Sequence, residues 1–210
     1  MIEPLGTDCG TDDASAVLHA LRCGGFAGLT RLSAATGLPE PAVESELLDL
    51  AVAGLVTHLS GDFGGWGLTD AGRAADAERT ARELESTGAR PALLAAYERF
   101  LTLNPELLDL CTAWQLRTVD GVPTANDHRD PTYDARVLDR FLDLHLRAAV
   151  VVAELIAALP RYAGYGVRLA EALNRAVAGE SGYLTDHTAS YHTVWAELHE
   201  DLLATLGIPR

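Results

Sequence analysis

Between Leu29 and Gly72 the chain reads LTRLSAATGLPEPAVESELLDLAVAGLVTHLSGDFGGWGLTDAG, and few folds accommodate that pattern. Thr30 to Thr36 predicts a short helix, and Gly37-Leu38-Pro39 predicts a turn. In a second helix Val43, Leu47, Leu50 and Ala51 recur at helical spacing on one face. Pro41 suits its first turn, where the missing N–H costs nothing, and Gly54 ends it. Leu55 to Leu59 alternates weakly, as a short strand does. Gly61-Asp62 and Gly64-Gly65 supply turn chemistry, and Trp66 and Leu68 mark a returning strand. Thr69-Asp70-Ala71-Gly72 then opens a further helix with a capping residue. The resulting order is helix, turn, helix, strand, hairpin, strand, helix.

That order resembles the winged helix-turn-helix of MarR-type and related transcriptional regulators. The residues that carry the resemblance are Gly37-Leu38, Val43, Leu47, Leu50, Gly54-Leu55-Val56 and Leu68-Thr69-Asp70-Ala71-Gly72, about a third of the chain with the segments between them. The resemblance implies a DNA-binding fold whose second helix lies in the major groove and whose wing meets DNA through an arginine. It also implies a ligand-responsive regulator that acts as a homodimer.

The charges are unusual for such a surface. The second helix carries Glu40, Glu44, Glu46 and Asp49 and no basic residue, and the wing offers Asp62. Residues 1–70 hold two basic side chains, Arg22 and Arg31, against ten acidic ones. Phosphate neutralisation by Lys and Arg supplies most non-specific affinity for a duplex, so this face repels one. DNA contacts are therefore expected from Arg31, Arg73 and Arg79. Across all 210 residues the net charge is −14, which favours solubility and disfavours anionic partners.

The fold class expected is mainly α: a winged helix-turn-helix domain over residues 1–88, with a small β-hairpin wing, followed by an all-helical domain over 89–210. A lead-in over Met1 to Gly10 is expected to be extended or mobile. Thr11-Asp12-Asp13 caps a first helix with Val17, Leu18 and Leu21 facing inward and His19 partly exposed without a role. Ala71 to Ser86 is a polar helix, solvated or laid across a partner. In the second domain Pro91–Leu103 and Pro105–Arg117 read as two helices. Residues 118–130 lack periodicity and read as a long loop, a feature usually functional or disordered. Asp130-Pro131 restarts a helix that runs to about Leu159 and forms the domain's core, followed by helices over Gly166–Ala178 and Ser190–Leu206.

Two clusters carry candidate chemistry. On the last helix Val194, Trp195, Leu198, Leu202 and Leu206 form one stripe, with His192 and His199 on its shoulder and Glu197 and Asp201 pointing away. The other cluster joins Trp114, Gln115 and Arg117 to Asn126, Asp127, His128 and Asp130. There His128 beside Asp127 or Asp130 is a candidate acid/base, and Arg117 suits a carboxylate or phosphate. Ligand binding is thus expected at Trp114, Gln115, Arg117, Asn126, His128, Tyr191, His192, Trp195 and His199, with a shared cavity lined by Trp114, Trp195 and Tyr191. His128, His192, His199 and Asp127 are the candidates if the chain is an enzyme. The bland alternatives are boundary histidines, a helix cap and turn-forming Asn/Asp residues.

His187, His192 and His199 with Asp186 lack HxxxH or HExxH spacing, so no metal is expected. There is no GxGxxG, P-loop or GxSxG, and no cofactor is expected. Cys9, Cys23 and Cys111 are scattered and read as free thiols. No signal peptide or bilayer-length apolar run is seen, so the expected location is the cytoplasm. The leading expectation is a ligand-responsive winged-helix regulator with an acidic reading helix. The alternatives are a winged scaffold reused as a small-molecule binder or enzyme without DNA binding, and an interaction module whose acidic helix docks a basic partner.

Overall fold

The computed structural model describes residues 9–61, 64–119 and 121–209. The first part of the expected lead-in, Asp62 of the wing and the side chains of Cys9, Thr11 and Asp12 lie outside the described residues, and because the first helix begins at Cys9 the Thr11-Asp12-Asp13 segment lies within it instead of capping it. The chain is mainly α-helical, and its described residues divide into two compact units. One comprises the chain up to Gly88 together with residues from His199 onward, and the other is Ala89–Leu198. Residues 199–210, which the sequence places with the helical domain, thus belong to the winged unit.

The first unit contains α1 (Cys9–Gly24), α2 (Leu29–Thr36), α3 (Glu40–Val52), β1 (Val56–Leu59), β2 (Gly65–Leu68), α4 (Asp70–Thr87) and the second half of α8 (Tyr191–Leu206). This is the winged helix-turn-helix order. Gly37 ends α2 in the left-handed region at φ 77°, a conformation that costs glycine nothing, and its N–H returns to the Ser33 carbonyl at 2.8 Å. Pro39 precedes α3 and Pro41 sits in its first turn. Val43, Leu47 and Leu50 turn inward onto Val17, Leu21 and Leu32. Burying side chains of this kind stabilises by roughly 1.5–3 kcal/mol each. β1 and β2 pair antiparallel from Val56↔Leu68 to Leu59↔Gly65. Ala27, in the link after α1, exchanges both backbone hydrogen bonds with Trp66 at 2.9 Å and adds a third rung to the wing.

The start of α4 explains the Leu-Thr-x-x-Gly pattern. The Thr69 hydroxyl accepts from the Gly72 N–H at 3.1 Å and donates to the Gly54 carbonyl at 2.8 Å, tying the new helix to the end of α3. Gly72 lies so close to the chain after α3 that a Cβ there would stand 2.0 Å from the Leu55 carbonyl oxygen. Overpacking against backbone costs about 1–3 kcal/mol. Gly72→Ala is expected to lower the unfolding free energy by about that amount, read as a shifted urea midpoint with an unchanged slope. A wild-type midpoint would mean that the wing gives way freely.

The second unit contains α5 (Arg90–Gln115), β3 (Leu116–Val119), β4 (Val122–Ala125), α6 (Pro131–Ala158), a 3-10 turn over Pro160–Tyr162, α7 (Ala163–Val177) and the first half of α8. Arg147 pairs with Glu106 at 2.8 Å and Arg99 with Glu154 at 3.0 Å, so α5 and α6 run antiparallel. Phe100, Leu107 and Leu110 of α5 and Phe141, Leu144 and Leu155 of α6 are fully buried in this unit.

Two expectations change here. Pro105 does not start a helix; α5 runs through it. The position is solvent-facing, so the carbonyl of Leu101, one turn earlier, loses its N–H partner where water can replace it. Residues 116–125 are not a structureless loop either. Leu116–Val119 and Val122–Ala125 pair as the antiparallel hairpin β3–β4, and Gly121 between them has φ 81°. No helix among the described residues is long and apolar enough to cross a membrane.

Candidate functional site

A cluster of buried, mutually engaged groups lies in the winged unit around His19, which was expected to have no role. His19 and Cys23 sit four residues apart on α1 and therefore share a face. Asp76 comes from α4 and Asp201 from α8. His19 is 7% exposed, Asp76 0% and Asp201 1%. The imidazole bridges the carboxylates: Nδ1 lies 3.0 Å from Asp76 Oδ1, and Nε2 lies 3.1 Å from Asp201 Oδ1. The Cys23 sulfur is 3.6 Å from the same Nε2.

Supporting groups fix both acids. The Thr205 hydroxyl donates to Asp201 Oδ1 at 3.0 Å, Arg79 approaches Asp76 Oδ1 at 3.4 Å, and Arg22 pairs with Glu200 at 2.7 Å. Burial opposes charge on His19, but the Asp201 carboxylate, the Cys23 sulfur and the hydrogen bonds to both acids outweigh it and raise its pKa well above the ordinary value. Burial likewise pushes Asp76 up, and its bond to His19 with help from Arg79 more than reverses this, so its pKa falls. His19 is therefore buried between two acids that favour its protonated form, and is not the partly exposed histidine without a role that was expected.

The cluster at the end of α5 does assemble, in a self-contained form. Asn126 is buried; its Nδ2 donates to the Trp114 carbonyl at 3.0 Å and to Asp134 Oδ1 at 2.8 Å, and its backbone N–H meets the Gln115 carbonyl at 2.8 Å. His128 adopts φ 56° and places Nδ1 3.0 Å from Asp134 Oδ2, so its acid partner is Asp134, which the sequence reading did not single out. The His128 ring lies 4.7 Å from that of Trp114. Arg117 pairs with Asp127 at 3.1 Å, while Asp130 caps α6 through the N–H groups of Thr132 and Tyr133. These bonds close the base of the β3–β4 hairpin. The Gln115 side chain is exposed at the same place.

On α8 the tryptophan and tyrosine are core residues. Trp195 is 2% exposed, stacks on Phe100 at 4.5 Å and donates from Nε1 to Asn104 at 2.9 Å. Tyr191 is fully buried with its hydroxyl 3.3 Å from His145 Nδ1. Trp114 packs on His128 while Trp195 packs on Phe100 and Tyr191, so the two tryptophans belong to different ring clusters. His192 and His199 are half-buried, the first in the helical unit and the second in the winged one. Glu197 and Asp201 do not point away from the core: Glu197 is buried against Arg168, and Asp201 holds His19. Cys111 is buried and its thiol is pushed up to about 12, which removes it as a nucleophile.

The outward face of α3 carries Glu44, Ser45, Leu48, Asp49 and Val52, with Leu48 55% and Val52 91% exposed. Of the arginines assigned to DNA, Arg73 is exposed beside Asp70 at 3.3 Å, Arg31 is half-buried on α2, and Arg79 is drawn to Asp76 and Glu83. A cleft beside the wing is lined by Leu21, Arg22, Phe26, Leu68 and Arg73 and measures about 210 Å³, below the roughly 300 Å³ at which drug-sized sites begin. Comparison with protein-family models, curated proteins and solved structures finds no match for this chain.

Removing one partner of a buried ion pair costs about 3–5 kcal/mol. Asp76→Ala and Asp201→Ala are each expected to lower the unfolding free energy by about that much, measured in urea near pH 6. Because the His19 value is raised and the Asp76 value lowered in the folded state, the contribution is complete between about pH 4 and about pH 6.5 and is lost as pH rises through the folded His19 value. The gap between wild type and variant should therefore narrow in alkaline buffer. A gap independent of pH would assign the loss to packing alone.

Proposed function

We propose that this chain is a winged-helix transcriptional regulator of the MarR-like kind that works as a homodimer and answers to a small ligand. The observation that supports this reading is the order of α1, α2, α3, the paired wing strands and α4, with the Thr69 and Gly72 contacts locking wing to helix. Phosphate contacts then come from Arg31 and Arg73 and not from α3, while Arg79 is committed to Asp76. In the helical unit Leu142, Leu146 and Val150 recur at four-residue spacing along α6 and are 40%, 70% and 61% exposed. A second copy covering such an apolar stripe fits the homodimer. The alternative, a binder or enzyme working through His128 and its neighbours, has less support, because Asn126, His128 and Asp134 are engaged in closing the hairpin.

One observation favours a second reading. The exposed face of α3 is acidic and apolar, with Glu44 and Asp49 beside Leu48 and Val52. Such a face complements a basic protein surface with an apolar centre better than it complements phosphate.

Fluorescence anisotropy with duplex DNA from the chain's own upstream region, across a salt series, separates the two. The regulator reading expects binding that weakens with salt, with Arg31→Ala and Arg73→Ala each reducing the log–log slope by about one. It also expects tighter binding when Glu44 and Glu46 are changed to Lys. Absence of binding at low salt in wild type and in the charge-reversed protein overturns it and leaves α3 as a protein-docking helix.

A further inference from the structure

We propose that His19, Cys23 and Asp201 form a zinc site in the winged unit, with Asp76 as the outer carboxylate that orients the histidine. The ligand atoms of the three residues all lie within 4.8 Å of one another. Zinc is held by imidazole nitrogen and carboxylate oxygen at about 2.0–2.1 Å and by thiolate at about 2.3 Å, with tetrahedral angles. Those lengths place N and S about 3.6 Å apart, and N and O about 3.3 Å apart, around one ion. The observed separations from His19 Nε2 are 3.6 Å to Cys23 Sγ and 3.1 Å to Asp201 Oδ1. Two edges of the coordination tetrahedron are thus already laid out before any ion enters.

The second line of support comes from the other side of the ring. Metal-bound histidines as a rule donate their remaining N–H to a carboxylate, which fixes the tautomer and turns the lone pair towards the ion. Asp76 stands 3.0 Å from Nδ1, with its own position set by Arg79. Thr205 holds the Asp201 carboxylate in the same way. A hydrogen-bond bridge is complete with two acids and a histidine, whereas here a sulfur also stands at the shared nitrogen. For an ion of zinc's borderline softness, a sulfur beside a nitrogen and an oxygen is a fitting donor set.

Access and proton balance are also consistent. Cys23 is only partly buried and marks the side from which an ion reaches the buried His19 and Asp201. On binding, Cys23 gives its thiol proton to solvent and coordinates as thiolate. His19 releases the Nε2 proton to solvent as well, and keeps the Nδ1 proton in the hydrogen bond that Asp76 accepts. A water fills the fourth position, as in sites with three protein ligands. The ion would join α1 to α8 within the winged unit, and the site stands whether or not the chain binds DNA.

The test uses the full-length protein freed of metal and reads cobalt, zinc's spectroscopic stand-in. Cobalt is expected to bind in one equivalent with the intense visible bands of a tetrahedral ion and a thiolate-to-cobalt charge-transfer band in the near ultraviolet. Zinc should then displace it. Cys23→Ser should abolish the charge-transfer band and Cys111→Ser should leave it intact. In competition with a chromophoric chelator, Asp76→Asn should weaken zinc binding about 10- to 100-fold. A pale octahedral cobalt spectrum, absence of stoichiometric zinc binding in wild type, or a charge-transfer band that survives in Cys23→Ser overturns the proposal. The wild-type spectrum alone decides the matter if a variant fails to fold.

Discussion

The winged unit is organised around one buried polar arrangement, the ring of His19 held between Asp76 and Asp201. Its three contributors belong to α1, α4 and α8, so segments from the start, the middle and the end of the chain meet at one ring. A hydrophobic contact in that place would tolerate sliding by part of a helical turn. Two opposed hydrogen bonds on a planar ring do not, because each nitrogen has a single in-plane direction to offer. Leaving any one of the three unpaired would strand a charge away from water, which is far costlier than leaving all three solvated. The arrangement is thus a constraint on register first and a source of stability second.

The face that α3 presents is fixed by its apolar stripe instead. Val43, Leu47 and Leu50 fix which side of α3 is buried, and hence Glu44, Leu48, Asp49 and Val52 must face out. No rotation of the helix could hide the acids without exposing the core stripe. The nearby cations do little to offset this. Arg79 leans on Asp76 and Glu83, Arg22 on Glu200, and Arg73 on Asp70. The cations near this surface are already taken by internal partners, so its field is set by the exposed acids of α3.

Much of this was legible in the sequence. Turn chemistry at Gly37, the proline in the first turn of α3, the Thr69 cap and the apolar spacing of Val43, Leu47 and Leu50 are local signals, and local physics decides those elements. A proline after Asn is a good helix start, and nothing local at Pro105 says that the position is solvent-facing and tolerates the lost hydrogen bond. The β3–β4 hairpin leaves no mark in the sequence, because its strand residues are almost all exposed and show no alternation of burial. Its order comes from Asn126, whose partners Trp114 and Asp134 lie on two different helices.

The buried cluster was hidden for a different reason. Asp76 lies in a helix of overall polar composition, where an acid defaults to solvent. Yet Gly72, Asp76, Thr80 and Leu84 recur every four residues and are the buried positions of α4, a stripe that a hydrophobic pattern search skips because half its members are polar. On α8, Asp201 sits between Leu198 and Leu202, closer to the apolar stripe than its charge suggested. His19 and Cys23, four apart on one helix, were the only part of the centre with a spacing signal of its own. Helical periodicity can nominate a buried polar position, but only a partner elsewhere in the chain makes it affordable. Here that partner is a histidine more than fifty residues upstream of Asp76, and its second acid lies near the end of the chain. Pairing of this kind is a property of the tertiary fold, so no window of sequence contains it.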